Sequence, residues 1–462
     1  MLFSVPPDIL DTLIRISVPM KALTSLFLFA GLFLVAGCKP TAGPAPGGTA
    51  PTEKATSAAE VSQVDDAESL AALKEKSVKL DVDGNGNVVL ADFRKTETSD
   101  EDLALLKGLP KVSRVIVEGP NFGDAGMVYL AELPSFSVLD AASSAITDKG
   151  VETLSKVAGL RALGLRRTSV TDAGLAHLVG LKSLVDIDLR FTNVGDEGIK
   201  SLSEIKSLKA VKLQECPGVS DEGIKLLGTL PNLENVNISK NTRLTGASLE
   251  ALSNCKKLKV LELENDTNIE GPALEHIAGL TNLEMLNVRF NFVKGDALVH
   301  IAGLTKMKTL LLRETVVNNA GLDHLAGMKD LVELDVTNTV VGDDGIEKLY
   351  GFPNLAILSV EQCGITSEGV AAISRISTLR ELDLTNESDL NSESLEPLTA
   401  LENLEVLELD ENFMIDGSAV EFLVELKKLR KLKIGTTLLS SDSAAKDELI
   451  EALPNLEIQE SF

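Results

Sequence analysis

Four histidines are the first residues whose type suggests chemistry. His177, His276, His300 and His324 stand in the same local setting, as AHL, EHI, VHI and DHL. A metal would need such ligands to converge at about 2 Å on one ion, and helices that pack about 10 Å apart do not arrange that easily. The histidines therefore read as a recurring surface position, and no metal centre is expected. A second candidate is Asp81-x-Asp83-x-Asn85-Gly86 with Asp92, which fills the first, third, fifth, sixth and twelfth positions of a calcium loop. Against it, the twelfth position is Asp rather than a bidentate Glu. Val78, Leu80 and Val82 alternate before the turn residues, and Val88 and Leu90 resume after them, as in a β-hairpin. Both readings stay open from sequence alone. Catalysis has no foothold: there is no Gly-rich phosphate loop, no G-x-S-x-G and no H-E-x-x-H. No enzyme activity and no cofactor are expected.

The residues best suited to recognition are arginines beside aromatics. Arg190-Phe191 and Arg289-Phe290 are two such pairs, and Arg166 and Arg313 stand in equivalent places one repeat before and one repeat after. Arg and aromatic side chains bring directed hydrogen bonds and large contact area, which is why they are enriched at binding hot spots. Phe is uncommon here, 14 in 462 residues, yet two share this slot. The competing reading is local: Arg190 pairs with Asp188 or Asp186, and each Phe folds back on its own turn. A third feature is acidic. Glu333, Asp335, Glu381, Asp383, Glu408 and Asp410 fall at outward positions near the C-terminal end. They suit either a basic partner or cation, or a simply solvated face.

All these residues are positioned by one recurring unit. Leu160 to Ser183 reads LRALGLRRTSVTDAGLAHLVGLKS. Leu160, Leu163 and Leu165 begin a half-buried strand, and Thr171-Asp172 offers a helix N-cap. Leu175, Leu178 and Leu181 then follow at near-helical spacing. Leu184 restarts the pattern, so the period is 24 residues. Such openings recur every 24 or 25 residues from Val88 to Leu429, with a last partial one at Leu456. No unit can bury its leucines alone, so stacking must make the core. The eighth residue after an opening is often Thr, Cys or Asn, as at Thr168, Cys216, Asn241 and Cys363, and is expected to face inward and bond loop backbone. Cys216 and Cys363 are too many strands apart to pair.

The units LKAVKLQECPGVSDEGIKLLGTLPN and LAILSVEQCGITSEGVAAISRIST resemble leucine-rich repeats of the cysteine-containing subclass, whose helix side carries T-D-x-G-L. The resemblance implies an α/β solenoid, a curved right-handed superhelix with a parallel sheet on the concave face and helices on the convex face. That fold serves many partners and does not by itself fix a function; with no catalytic motif in the chain, the expected function is a binding scaffold.

The N-terminal part reads as an address. The apolar run ALTSLFLFAGLFLVA follows Lys21 and is too short for a membrane span. Val35-Ala36-Gly37-Cys38 resembles a bacterial lipobox, which implies that Cys38 carries lipid and becomes the mature N-terminus. Residues 1–37 are thus expected to be a signal peptide, with translation starting at Met20. Residues 38–66, rich in Pro, Gly, Ala and Thr, form a tether. Residues 67–87 form a cap with a hairpin, and 88–462 the solenoid with its C-terminal cap. The formal net charge of −25 argues against nucleic acid as a partner. The expectation is a cell-envelope protein, lipid-anchored to a membrane on the extracytoplasmic side, that presents its sheet to a protein or glycan. The alternative is a substrate-recognition adaptor of a ubiquitin-ligase-like degradation machine, as the cysteine-containing subclass implies. Here, however, a signal and a tether stand where an F-box segment would be.

Overall fold

The structure is a computed structural model that describes residues 64–460. The signal run, the lipobox and most of the tether lie outside the described residues. Within them, a helix, Ala67–Glu75, opens the folded chain, with Asp66 capping it through Ser69 N–H at 2.7 Å. Lys79–Val82 then pairs antiparallel with Val88–Asp92. Asp83 shapes the turn by accepting from the amides of Asn85 and Asn87. Asp92 is held by Arg94 at 2.7 Å. The Asp81–Asp92 stretch is therefore a hairpin with a strand after its turn, where a helix–loop–helix calcium site would need a helix.

From Val88–Asp92 onward the strands are parallel and add in sequence order to a 17-stranded open sheet. The register keeps one inward residue of each strand in line: Leu139, Leu163, Ile187 and Val211 are successive partners. The residues three and five places after each opening point inward, and Leu163, Leu165, Ile187 and Leu189 are essentially inaccessible to solvent. Residues two, four and six places after an opening face the other way. They form a polar sheet face.

The helix side is joined by a carboxylate relay. Asp124 accepts from Thr147 N–H at 2.8 Å, Thr147 Oγ1 at 2.6 Å and Gly150 N–H at 2.9 Å, all in the following repeat. Asp148 does the same for Thr171, Asp196 for Ser220 and Asp343 for Thr366. The T-D-x-G pattern thus has a physical cause. Thr caps its own helix, Asp reaches the next repeat, and Gly leaves room for the carboxylate of the previous one. A Cβ on Gly150 would lie 2.6 Å from Asp124 Oδ1. Two adjacent repeats carry Glu270 and Lys294 at the cap, with no side-chain cap bond, and their segments Gly271–Ile277 and Gly295–Ile301 are 3-10 helices.

The extra residue of the 25-residue repeats lies in the loop after the eighth position. In Thr168-Ser169-Val170 one residue separates that position from the next buried apolar side chain. In Asn241-Thr242-Arg243-Leu244 two do. Short loops mostly use Thr, which bonds its own turn, as Thr168 Oγ1 does to Leu165 O at 2.6 Å. Long loops favour a side chain that reaches the neighbouring repeat. Asn241 donates to Leu213 O and Ile238 O at 2.9 and 2.7 Å and accepts from Cys216 N–H at 2.9 Å. Cys216 and Cys363 occupy the same slot as free thiols, donating to Leu189 O and Val336 O. Burial pushes the Cys363 thiol up to about 11, so it stays protonated.

Candidate binding surface

The chain leaves the sheet at the seventh residue after each opening, and there the backbone turns left-handed. Fifteen such residues, from Lys95 to Thr436, have φ between +49° and +95°. Only Gly119 among them is glycine. The conformation is imposed by main-chain bonds to the next repeat: Arg167 N–H donates to Arg190 O, Phe191 N–H to Gln214 O and Phe290 N–H to Arg313 O, each at 2.9 Å. Left-handed backbone costs most residues roughly 1–2 kcal/mol, so a bulky Phe at Phe191 and Phe290 is an uncommon choice.

The two Arg–Phe pairs differ in what surrounds them. Arg190 forks onto Asp188 in its own strand, with Nε to Oδ1 at 2.9 Å and Nη2 to Oδ2 at 2.6 Å. Burial works against ionisation of Asp188, but the guanidinium beside it more than offsets this and holds the carboxyl below the usual range. The ring of Phe191 is half-buried under the guanidinium of Arg167, 4.6 Å from its centroid. Burial pushes the Asp140 carboxyl up, and the charge of half-buried Arg166 on the same sheet face only partly opposes this. Arg190 and Phe191 are therefore satisfied within the chain, and Asp188 is a partner of Arg190 rather than a free outward carboxylate.

At the second pair the arginines are struts and the aromatics are open. Arg289 crosses one strand to reach Asp335 on the next, at 2.6 Å. Arg313 likewise crosses a strand to reach Glu361, at 2.8 Å. Phe290 remains 42% exposed and Phe292 53% exposed. Lys294 Nζ lies 5.4 Å over the Phe292 ring. Phe292 begins a run that sequence reading missed. The ninth residues of three consecutive repeats are Phe292, Val316 and Val340, all exposed. The row is apolar and exposed again at Phe413 and Leu438, and elsewhere holds residues such as Glu97, Asn121, Asn193 and Thr242. The signal for it is the recurrence of apolar residues in this one column of the repeat. Exposed apolar residues scattered singly mean little, but a contiguous strip marks an interaction surface.

The histidines stay apart from this edge. His276, His300 and His324 are half-buried on the helix side. Among the described residues no group of three or more His, Cys, Asp or Glu could hold a metal ion, and no helix is long and apolar enough to cross a membrane.

The stacked strand–turn–helix unit, its T-D-x-G relay and its inward leucines define a leucine-rich repeat solenoid. A family profile described as "Leucine Rich repeat" matches residues 180–203 and 328–349. The chain has the leucine-rich repeat fold, and two of its repeats match that profile directly. No curated protein matches it in sequence. Among solved structures it is similar to an internalin from Listeria monocytogenes, at 20% identity and TM-score 0.54, covering 79% of this chain and 93% of that one. A leucine-rich repeat protein of Leptospira interrogans matches at 18% identity and TM-score 0.49, over 76% and 91% of the two chains. A chain of the yeast Rad7 and Elc1 complex matches at 16% identity and TM-score 0.48, over 79% and 84%. The internalin likeness shows the fold; it does not assign a partner.

Proposed function

We propose that this protein is a non-enzymatic binding scaffold, held to a cell-envelope membrane on its extracytoplasmic side by lipid on Cys38, that captures a protein partner along the C-terminal half of its sheet edge. The observation that carries this reading is the exposed strip of Phe290, Phe292, Val316 and Val340 beside the arginine struts. A contiguous apolar edge favours a protein over a glycan. Arg289 and Arg313 stiffen the platform behind it, while Arg190 and Phe191 contribute chiefly to the neighbouring fold. A photo-crosslinking residue placed at position 292 should yield one dominant adduct in the protein's own cells. The same residue at the exposed helix-side position 250 should not. Equal, diffuse labelling at both sites would overturn the assignment. A companion Phe290→Ser, Phe292→Ser variant should lose the adduct from a crosslinker at position 340 while its melting temperature stays within a few degrees. A large fall in melting would instead mean that these rings hold the turn.

A further inference from the structure

The carboxylate relay between helix caps is interrupted in the middle of the solenoid. Six successive seams carry it. They run from Asp100, which accepts from Gly123 N–H at 2.9 Å, to Asp221, which accepts from Thr245 N–H and Oγ1 at 2.9 and 2.6 Å. It resumes at Asn319, which accepts from Gly342 N–H at 2.8 Å, and at Asp343. In the three consecutive repeats between these blocks, the place of the relay Asp is held by Gly246, Gly271 and Gly295. The receiving side has changed to match. The Gly that stands three residues after a relay cap is replaced by Ala273 and Ala297. A Cβ on Gly246 would lie 3.0 Å from Ala273 Cβ, and one on Gly271 would lie 2.8 Å from Ala297 Cβ. Each methyl thus takes the room that a relay carboxylate would need.

The two sides of the stack differ at these seams. On the helix side, the caps Glu270 and Lys294 make no side-chain cap bond, and Gly271–Ile277, Gly295–Ile301 and Asn319–Leu325 are three successive 3-10 helices, whose hydrogen bonds have poorer geometry than those of an α-helix. Main-chain bonds still cross nearby, as from Gly271 N–H to Phe292 O at 3.2 Å. On the sheet side nothing is lost. Ile238 N–H donates to Glu262 O at 3.0 Å, Leu263 N–H to Asn287 O at 2.8 Å and Val288 N–H to Leu311 O at 3.0 Å. A hydrogen bond fixes both distance and direction. A methyl against a glycine gives only non-directional attraction, which holds two helices together but lets them slide.

We infer that residues 246–318 form a joint in the solenoid, at which the sheet stays paired while the helices slide and spread. Curvature changes there, and the relay-tied block before it moves as one piece. Small sliding of packed helices is a known route of conformational change. Phe292 and Val316 stand on either side of the last relay-free seam, so motion at the joint alters their spacing along the rim. The joint exists whether or not the strip captures a partner, because it is built from the caps alone.

The test is hydrogen exchange of the full-length protein in detergent, resolved to single amides. Leu280 and Leu304 N–H donate to Ile277 O and Ile301 O at 2.9 Å, and the equivalent Ile205 and Leu230 N–H donate to Leu202 O and Leu227 O at 2.9 and 3.0 Å. All four residues are buried, so a difference in exchange reports opening rather than a missing bond. Leu280 and Leu304 should exchange about tenfold or more faster than Ile205 and Leu230. The sheet amides of Leu263 and Val288 should match those of Leu189 and Leu213. Equal exchange on the helix side would overturn the joint. Sheet amides as fast as the helix amides would overturn it too, since whole repeats would then be melting. Transplanting the relay with Gly271→Asp, Lys294→Thr and Ala297→Gly should slow Leu304 toward the rate of Ile205. The converse exchange, Asp196→Gly with Gly223→Ala, should speed Leu230. Unchanged rates in both variants would mean that the relay does not set the motion, and would overturn the assignment.

Discussion

At the scale of single residues, the most consequential position is Asp266. It occupies the eighth-residue slot of a long-loop repeat, where Asn241 and Asn412 both accept an amide and donate to carbonyls. Asp266 Oδ1 accepts from Asn241 N–H at 2.7 Å, but Oδ2 is buried without a partner. Burial pushes its carboxyl up to about 8, so a proton can take the place of the missing amide hydrogens. The unfolded carboxyl titrates near 3.9, about as in a model peptide. The folded state therefore binds the extra proton between about pH 4 and about pH 8. The stability from that proton is fully present below about pH 4 and is lost as pH rises through about 8. Asp266→Asn should match the parent near pH 4 and exceed it by on the order of 3 kcal/mol at pH 8.5, measured by denaturant unfolding. A constant difference across that range would mean that Asp266 is ionised in the fold. Burial also raises Glu387 in the equivalent slot, to about 7, so the informative quantity is the difference between variant and parent. The slot itself was legible from the recurrence of Thr, Cys and Asn. Its acidic members were not, because an Asp or Glu in a polar-rich loop looks solvated until the neighbouring repeats are placed around it.

At the scale of elements, the helix caps couple one repeat to the next through atoms in near contact. Gly150 has no side chain, and Asp124 Oδ1 fills the space. Gly150→Ala should lower stability by about 1–3 kcal/mol through overpacking. Asp124→Ala should cost about 1–3 kcal/mol by leaving the Thr147 and Gly150 amides unpaired. Because the first clash needs the second group, the double variant should be less destabilised than the sum, by about 1 kcal/mol. Strict additivity in a double-mutant cycle would remove the relay from the account of cohesion. The sequence displayed Thr, Asp and Gly at constant spacing and justified a cap. It could not show that the Asp of one repeat serves the Thr and Gly of the next, since that pairing exists only once the stacking register is known. The segments with 3-10 geometry at Gly271–Ile277 and Gly295–Ile301 were hidden for a related reason: their leucine spacing matches that of their α-helical neighbours.

At the scale of the whole molecule, residues 64–460 form a chain of near-neighbour contacts, so stability should be close to a sum over repeats and their seams. Attachment, in the proposed function, is a separate property that rests on one residue: Cys38→Ser should shift the protein from the membrane fraction to the soluble fraction, or stall its processing at a higher mass. An unchanged membrane fraction together with an unchanged mass would refute the lipid anchor. The period, the inward leucines and the open parallel sheet were all legible in the sequence, because hydrophobic spacing records them directly. The left-handed row from Lys95 to Thr436 was not, since eleven of its fifteen residues are neither Gly nor Asn and give no hint of positive φ. In twelve of the fifteen a carbonyl of the next repeat accepts the turn N–H, whatever side chain stands there. That independence has a consequence for change over time. The row is a track of equivalent mounts about 4.8 Å apart, each projecting its side chain from the rim without entering the core. Lys, Ser, Arg, Phe, Glu, Asn, Gln and Thr all occupy it already. Recognition can therefore be rewritten one mount at a time while the solenoid beneath stays the same.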